Sequence, residues 1–487
     1  MNLIFYFLFY FLNISFAKES QFADLFYPAD KKVLSAFIDD NLSKAKNYLD
    51  NKDEVLAVIS PHAGYIYSGR IASISYKNTG DNYDLIIIIG TAHNLSLDRA
   101  AVLYDDYYET PLGKEYIDKK FIDLITKKKD LFEKNNDAFY KEHSIETQLP
   151  FIQRKFGDKI KIVPIILNNS DLDKISKMGE ELAYNLKGRK PLFIISTDLS
   201  HYPKLDDAEI YDNAVLKSLE LMNENYFYIA EKYILSQNIP NLYTCACGDS
   251  ALMLGMSASR KLGAVSFKLF EYSNSYRENM EITDKNKVVG YASGAFLKGK
   301  KKNSLNFNIS KKDSMEILDL AKKSIENGFE HKIIYKATNP LLNLPAGVFT
   351  TLTIDNKLRG CIGFIEPIMS IGEAITRSAY SAAFEDYRFN PLKKEELNKI
   401  KIEVSILSPL KEIKDISEVS QNRHGVVIRN KEKSGVFLPD VWEYFKNKED
   451  FLNELCTQKA SMDKKCWENK ESKIYVFETL KIKEGEL

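Results

Sequence analysis

Four short runs, "VLAVIS" (55–60), "LIIIIG" (85–90), "KIVPIIL" (161–167) and "LFIIST" (192–197), are apolar and β-branched with no polar alternation. A strand with one wet face alternates in a period of two, so unbroken runs of this length belong to strands buried on both faces of a mostly parallel sheet. Helical stretches such as "DAEIYDNAVLKSLELM" (207–222) supply the crossovers that parallel strands need. "SFKLFEYSNS" and "VVGYASGAFL" read as closing strands. The first part of the chain is therefore predicted to be an α/β domain.

The remainder has a different pattern. "KGKKKNSLNFNIS" (298–310) is polar and loses apolar periodicity, which marks a linker over 299–309. After it, "SMEILDLAKKSIENGF" is an amphipathic helix, and "GVFTTLTIDNKLRGCIGFI" reads as a hairpin turning at Asp355 and Asn356. Helices mixed with antiparallel hairpins predict a smaller α+β domain over 310–487. A chain of 487 residues exceeds one ordinary core, in keeping with two domains. Lys+Arg and Asp+Glu both number 68, so no net field favours nucleic acid.

The first seventeen residues, "MNLIFYFLFYFLNISFA", hold no charged side chain and end in small residues at Ser15 and Ala17. The apolar run is too short to span a bilayer, which suits a signal peptide cleaved after Ala17 and a periplasmic or exported protein. An uncleaved anchor or a buried first helix, with a cytoplasmic protein, stays open. No transmembrane span is predicted after residue 17. Five cysteines (245, 247, 361, 456 and 466) are an odd number in a chain large enough to be held by its cores, so no disulfide framework is expected.

The histidines carry the functional signal. His62 follows the first run, His93 the second, and Asp198 with His201 the fourth. Ligands of open parallel sheets bind at the carboxyl ends of the strands, so three strands would deliver these side chains to one rim. His143 in "KEHSIETQLPFI" shares a helical face with Glu146, either as a supporting pair or as a helix-start interaction. In "LYTCACGDS", Asp249 or Ser250 would cap a following helix and place Cys247 at its N-terminus, where the dipole favours thiolate. A thiolate with imidazoles suits zinc, copper or iron. The alternative is a nucleophilic Cys247 with His201 or His62 as base and Asp198 orienting it. Cys245 is read as packing, and His331 and His424 as surface residues.

With those residues in place, the stretches "PHAGYIYSGR", "GTAHN", "YETPLG", "EHSIETQLPF", "STDLSHY", "CG" at 247–248, "YSNS" and "VVGYASGAF" run in the order of the Memo family, which residues 22–297 resemble. The resemblance implies a relationship to class III extradiol dioxygenases, a Memo-like domain over 20–298, and an iron or copper site on His62, His93 and Cys247, zinc being a third option. Asp198, His201 and His143 would surround that site as catalytic groups, giving a redox enzyme or a metal-handling protein. Cys247 stands where those dioxygenases carry a carboxylate, a departure that argues against plain ring cleavage. From 310 to 480 the chain resembles the AMMECR1 family, through "LRGCIGFIEP", "SAAFEDYRFNPL", "KIEVSILSPL", "GVVIRN" and "VFLPDVW…FLNELCTQKA". This points to Arg359, Gly360, Cys361 and Gly363 as its motif. Read from the residues alone, Arg359 would hold an anion or stand exposed on a tightly packed strand. Proteins of the two families go together with a radical-SAM protein, which the resemblance implies as a partner. A non-catalytic binding module and a cysteine hydrolase remain the competing readings, and the substrate is unnamed.

Overall fold

The computed structural model describes residues 17–50, 52–300, 307–330 and 339–486. Most of the predicted signal peptide, residues 1–16, and His331 lie outside the described residues. The chain divides into two compact units. The first comprises the described residues of Met1–Leu199, Ala246–Ala264 and Lys268–Gly299; the second comprises those of Ser200–Cys245, Val265–Phe267 and Lys300–Leu487. The helices Leu205–Ser218 and Glu224–Ser236 thus group with the second unit.

The first unit is built on an eight-stranded sheet. Its middle runs Glu54–Ser60, Pro191–Ser196, Leu85–Thr91, Lys161–Leu167, all parallel. These are the four apolar runs, and Ile86 through Ile89 are fully buried, as strands covered on both faces must be. Gly290–Lys298 pairs antiparallel with Glu54–Ser60, and Ala264–Asn274 lies beyond it as the sheet's edge strand. Ala100–Val102 and Phe132–Lys134 close the other edge. A second, three-stranded sheet joins Ala17–Lys18 to Tyr107–Thr110 and Gly113–Tyr116. Among the described residues no helix is long and apolar enough to cross a membrane.

Parallel order is what positions the site. Ser60 pairs with Ser196, and Ile89 with Ile195, so three neighbouring strands end at one level. His62, Asp198 and His93 each follow two residues beyond the end of one of these strands.

The second unit is α+β. Val348–Ile354 and Lys357–Phe364 form the predicted hairpin, extended by Lys401–Leu407 and Thr479–Lys483 into an antiparallel sheet. Asp355 and Asn356 take φ of 50° and 62°, the left-handed pair that a two-residue hairpin turn requires. A second sheet orders Lys411–Ile413, Lys473–Phe477, Gly425–Asn430 and Lys433–Phe437. The helix Lys311–Gly328 opens on a reciprocal cap between Ser310 and Asp313.

Two expectations fail in this unit. Cys456 and Cys466 form a disulfide inside an apolar cluster with Trp442, Phe451 and Leu455, although the cysteine count argued against any framework. The odd total concealed one local pair. His424 is buried rather than on the surface: its Nδ1 accepts the Ser420 amide, and its carbonyl accepts the Trp442 indole N–H.

Candidate metal centre

His62 is 1% exposed and lies at the centre of the site. Its amide donates to Asp198 Oδ1 at 2.8 Å, its Nδ1 lies 3.0 Å from Ser196 Oγ, and its Nε2 lies 3.1 Å from Cys247 Sγ. Asp198, itself buried, brings Oδ2 to 4.0 Å from the same Nε2. The Asp198 amide donates to Cys247 Sγ at 3.3 Å, and the Cys247 amide donates to the Asp198 carbonyl. Two loops from different strands are thereby laced together around His62.

His93 approaches from the next strand end. Glu142 clamps it: Oε2 accepts the His93 amide at 2.7 Å and Oε1 accepts Nδ1–H at 2.9 Å. A carboxylate accepts only, so the Nδ1 proton is committed to Glu142 and any lone pair of the ring is on Nε2, the usual way a second partner prepares an imidazole for metal. Burial pushes the Glu142 carboxyl up, but the His93 hydrogen bond and charge and the amides of Ser144 and His93 outweigh it and hold it at about 2.

His143 begins the short helix His143–Glu146 that Glu142 caps. Its ring stacks on His93 with centroids 4.5 Å apart and meets His62 edge-on at 5.2 Å. Burial, then the neighbouring His62 and His93, hold this imidazole neutral, its pKa down at about 3. Glu146 does not support His143 directly, as the shared helical face had suggested. Fully buried, it accepts the Gln21 and Phe22 amides and the Tyr27 and Tyr108 hydroxyls, pinning residues 21–27 beside the site. Phe22 and Phe26 from that segment then pack their rings on His143, at 5.6 and 4.6 Å.

Two donor groups result, each with ligand atoms within 4.8 Å of one another: His62 with His93 and His143, and His62 with Asp198 and Cys247. His62 belongs to both. The imidazole group is borderline in softness and fits copper, iron or zinc, and Cys247 would add a soft donor.

The helix expected after Cys247 is Asp249–Lys261, but its cap is Gly248, not Asp249 or Ser250. Glycine is required there because a Cβ would lie 2.8 Å from Thr197 Cβ and 2.9 Å from the Ser196 carbonyl oxygen. The thiolate expectation also changes. Burial pushes the Cys247 thiol well up, and the Asp198 carboxylate adds to that, against weaker hydrogen bonds from Asp198 and Thr197. Such surroundings disfavour an unassisted thiolate nucleophile, and a cation beside the sulfur is what would reverse the balance.

His201 belongs to the second unit, where its amide donates to the Thr244 carbonyl and its ring lies against Tyr202. Cys245 is buried there, as packing. Arg359 is partly buried, and its Nε and Nη2 hold both oxygens of the Glu396 carboxylate. Gly360 passes the helix Ile371–Phe384 so closely that a Cβ would strike the Ala382 carbonyl, and one on Gly363 would strike the Phe349 ring. Cys361 sits at the outer strand of its sheet, where Asp386 accepts its amide and Arg388 donates to its carbonyl, so the pair stands in for a neighbouring strand.

Sequence reasoning missed Glu142, Ser196 and the 21–27 segment. Glu142 was visible beside His143 in "KEHSIE", whereas the other two became relevant only through contacts distant in sequence.

A family model described as Memo-like protein matches residues 18–295, and one for AMMECR1 matches 318–482. A MEMO1 family protein of Nitrosopumilus maritimus is 32% identical over 281 residues, covering 56% of this chain and 98% of its own length. One from Caldivirga maquilingensis is 34% identical over 288 residues, covering 57% and 97%. Among solved structures, that of uncharacterized protein PH0010 from Pyrococcus horikoshii is 33% identical, covers 37% of this chain and 95% of its own, and superposes with a TM-score of 0.35.

Proposed function

Since this chain belongs to the Memo family through residues 18–295 and carries an AMMECR1 domain over 318–482, we propose that its first unit is a transition-metal site for iron or copper, with zinc as the third choice. The observation that carries the reading is that both donor groups share His62, whose Nε2 faces the Cys247 sulfur. His62 and His93 are the common imidazole ligands. Cys247 is the third donor in our assignment, with Asp198 beside it and His143 stacked on His93.

A bound metal would supply Lewis-acid or one-electron chemistry at an open coordination position. The chain's own residues orient and protect that position. Glu142 holds His93, Asp198 holds the His62 backbone, and the Phe22 and Phe26 rings shield His143 from water. His143, kept neutral, acts as a ligand or a wall of the site rather than as a proton carrier, which leaves Asp198 as the group for proton transfer.

Anaerobic reconstitution with Fe(II), Cu(I) or Zn(II) tests the assignment. Cys247→Ser should lose metal more severely than His143→Ala. The reverse order would hand the third position to His143, and wild-type protein that binds none of the three would refute the site. Oxygen uptake by loaded protein with candidate substrates separates a redox enzyme from a non-catalytic binding module. Chelator-insensitive alkylation of Cys247 would favour a hydrolase instead.

Two further elements belong to the proposal. A radical-SAM protein as partner is tested by co-purification from native cells. Export through cleavage after Ala17 is tested by sequencing the native N-terminus. The Cys456–Cys466 disulfide supports an oxidising compartment. That would set the exported reading against a direct intracellular partnership.

A further inference from the structure

Beneath His62 lies a buried set of polar side chains that the metal reading does not itself require. Ser196 Oγ, fully buried, is 2.5 Å from the Ser144 carbonyl oxygen, 3.0 Å from His62 Nδ1 and 3.1 Å from Gln148 Nε2. A hydroxyl has one proton and two acceptor positions. Two oxygens 2.5 Å apart need a proton between them, and a carbonyl has none to give, so the Ser196 proton is committed to Ser144. Toward the other two neighbours the oxygen can only accept.

Gln148 is oriented by the same logic. Its Nε2 also lies 3.0 Å from the Pro61 carbonyl, which must receive a donor, while Tyr76 hydroxyl donates to its Oε1 at 2.9 Å. The amide therefore presents N–H, and not its oxygen, to Ser196. One acceptor position of Ser196 is filled by Gln148, and the remaining one faces His62 Nδ1.

We infer that Ser196, oriented through Ser144 and Gln148, is a positioning residue that holds His62 in its Nδ1–H tautomer, so that the Nε2 lone pair points into the site. The same hydroxyl ties the strand end that carries Asp198 to the helix that carries His143. Ser144 in turn donates to the Thr91 carbonyl, reaching the strand end that carries His93. One small network thus sets both the spacing of the three loops and the chemical face that His62 presents. Such outer partners fix tautomer and ring orientation in metal sites generally. The inference rests on the metal reading only in that the Nε2 lone pair is given a use.

The test is a two-bond proton–nitrogen correlation spectrum of the metal-free full chain, labelled with ¹⁵N-histidine, the His62 signals being assigned by their loss in His62→Gln. Wild type should show His62 protonated on Nδ1. Ser196→Ala should replace that pattern with an Nε2-protonated or exchanging one. Gln148→Leu, which leaves the Ser196 proton with Ser144, should retain it. A wild-type spectrum with His62 protonated on Nε2 would overturn the inference even if no variant folded, as would an unchanged tautomer in Ser196→Ala. Titration with Zn(II) provides the second readout, with affinity expected to fall roughly 10–100-fold in Ser196→Ala. If the tautomer follows Ser196 but wild type binds no metal, the positioning role stands and the metal reading fails. If wild type binds metal with the tautomer independent of Ser196, the reverse holds.

Discussion

Replacing Glu146 by alanine removes the anchor of the segment that lies against His143. The carboxylate takes the Gln21 amide at 3.0 and 2.9 Å, the Phe22 amide at 2.7 Å, the Tyr27 hydroxyl at 2.7 Å and the Tyr108 hydroxyl at 3.0 Å. Gln21 and Phe22 are half-buried and their amides can turn to water, but Tyr27 and Tyr108 are 3% and 0% exposed. Each buried donor left without an acceptor costs about 1–3 kcal/mol, so two stranded phenols amount to roughly 2–6 kcal/mol. Relief of the buried carboxylate's own desolvation offsets part of that. The net loss is then about 2–4 kcal/mol.

It is also local. The segment can peel away before the sheet unfolds, so the cost is limited to its own docking energy. Urea unfolding of Glu146→Ala should show the reduced stability. Hydrogen exchange should show residues 20–27 losing protection while Ile86–Ile89 keep theirs. Glu146→Gln retains an oxygen for Phe22 and Tyr27 and should lose about half as much. Unchanged stability together with unchanged protection of residues 20–27 would refute the anchoring role.

Three other outcomes follow from the same structure. In metal-free protein, His143 and Glu142 both titrate below their ordinary values, at about 3 against 6.5 and about 2 against 4.5. At these two sites the unfolded chain binds more protons, so their contribution is complete above about pH 6.5 and falls first with His143 and below pH 4.5 with Glu142 as well. Buried Glu115, pushed up to about 8, contributes the opposite slope between about pH 4.5 and 8. Urea midpoints at stepped pH check this: the wild-type midpoint should fall relative to that of His143→Gln as pH drops below about 6.5. Gly248→Ala places a Cβ 2.8 Å from Thr197 Cβ, which should cost about 1–3 kcal/mol and displace Cys247 from His62. Faster alkylation of Cys247 would report that displacement, and an unchanged rate would contradict it. The disulfide closes a loop with a sequence separation of 10, so Cys456→Ala/Cys466→Ala should destabilise the second unit by about 2.5–3 kcal/mol. Unreduced wild type in denaturant should titrate three thiols, at Cys245, Cys247 and Cys361, whereas five would contradict the bridge.

The sheet was legible because its central strands are apolar throughout, a pattern that buried parallel strands share with few other elements. Since His62, His93 and Asp198 stand two residues past those strands, their convergence at one rim could be read from topology alone. Roles were harder. His143 sits on a helix of four residues, too short to carry a period, and only its stacking on His93 brings it into the site. The state of Cys247 depended first on its burial and then on Asp198, which approaches from another strand; both raise the thiol against the expected helix dipole. The pairing of Cys456 with Cys466 needed the turn between them to be known. Burial of His424 depended on Ser420 and Trp442, which no motif connects to it. Local pattern carried the scaffold, and long-range contact decided the chemistry.

The most direct measurement is elemental analysis of natively purified full-length protein beside His62→Ala, with folding of both verified by circular dichroism. Because His62 belongs to both donor groups, wild type should carry iron or copper near one ion per chain and the variant should carry almost none. Equal metal content in the two, whether both loaded or both empty, would contradict a metal centre at His62.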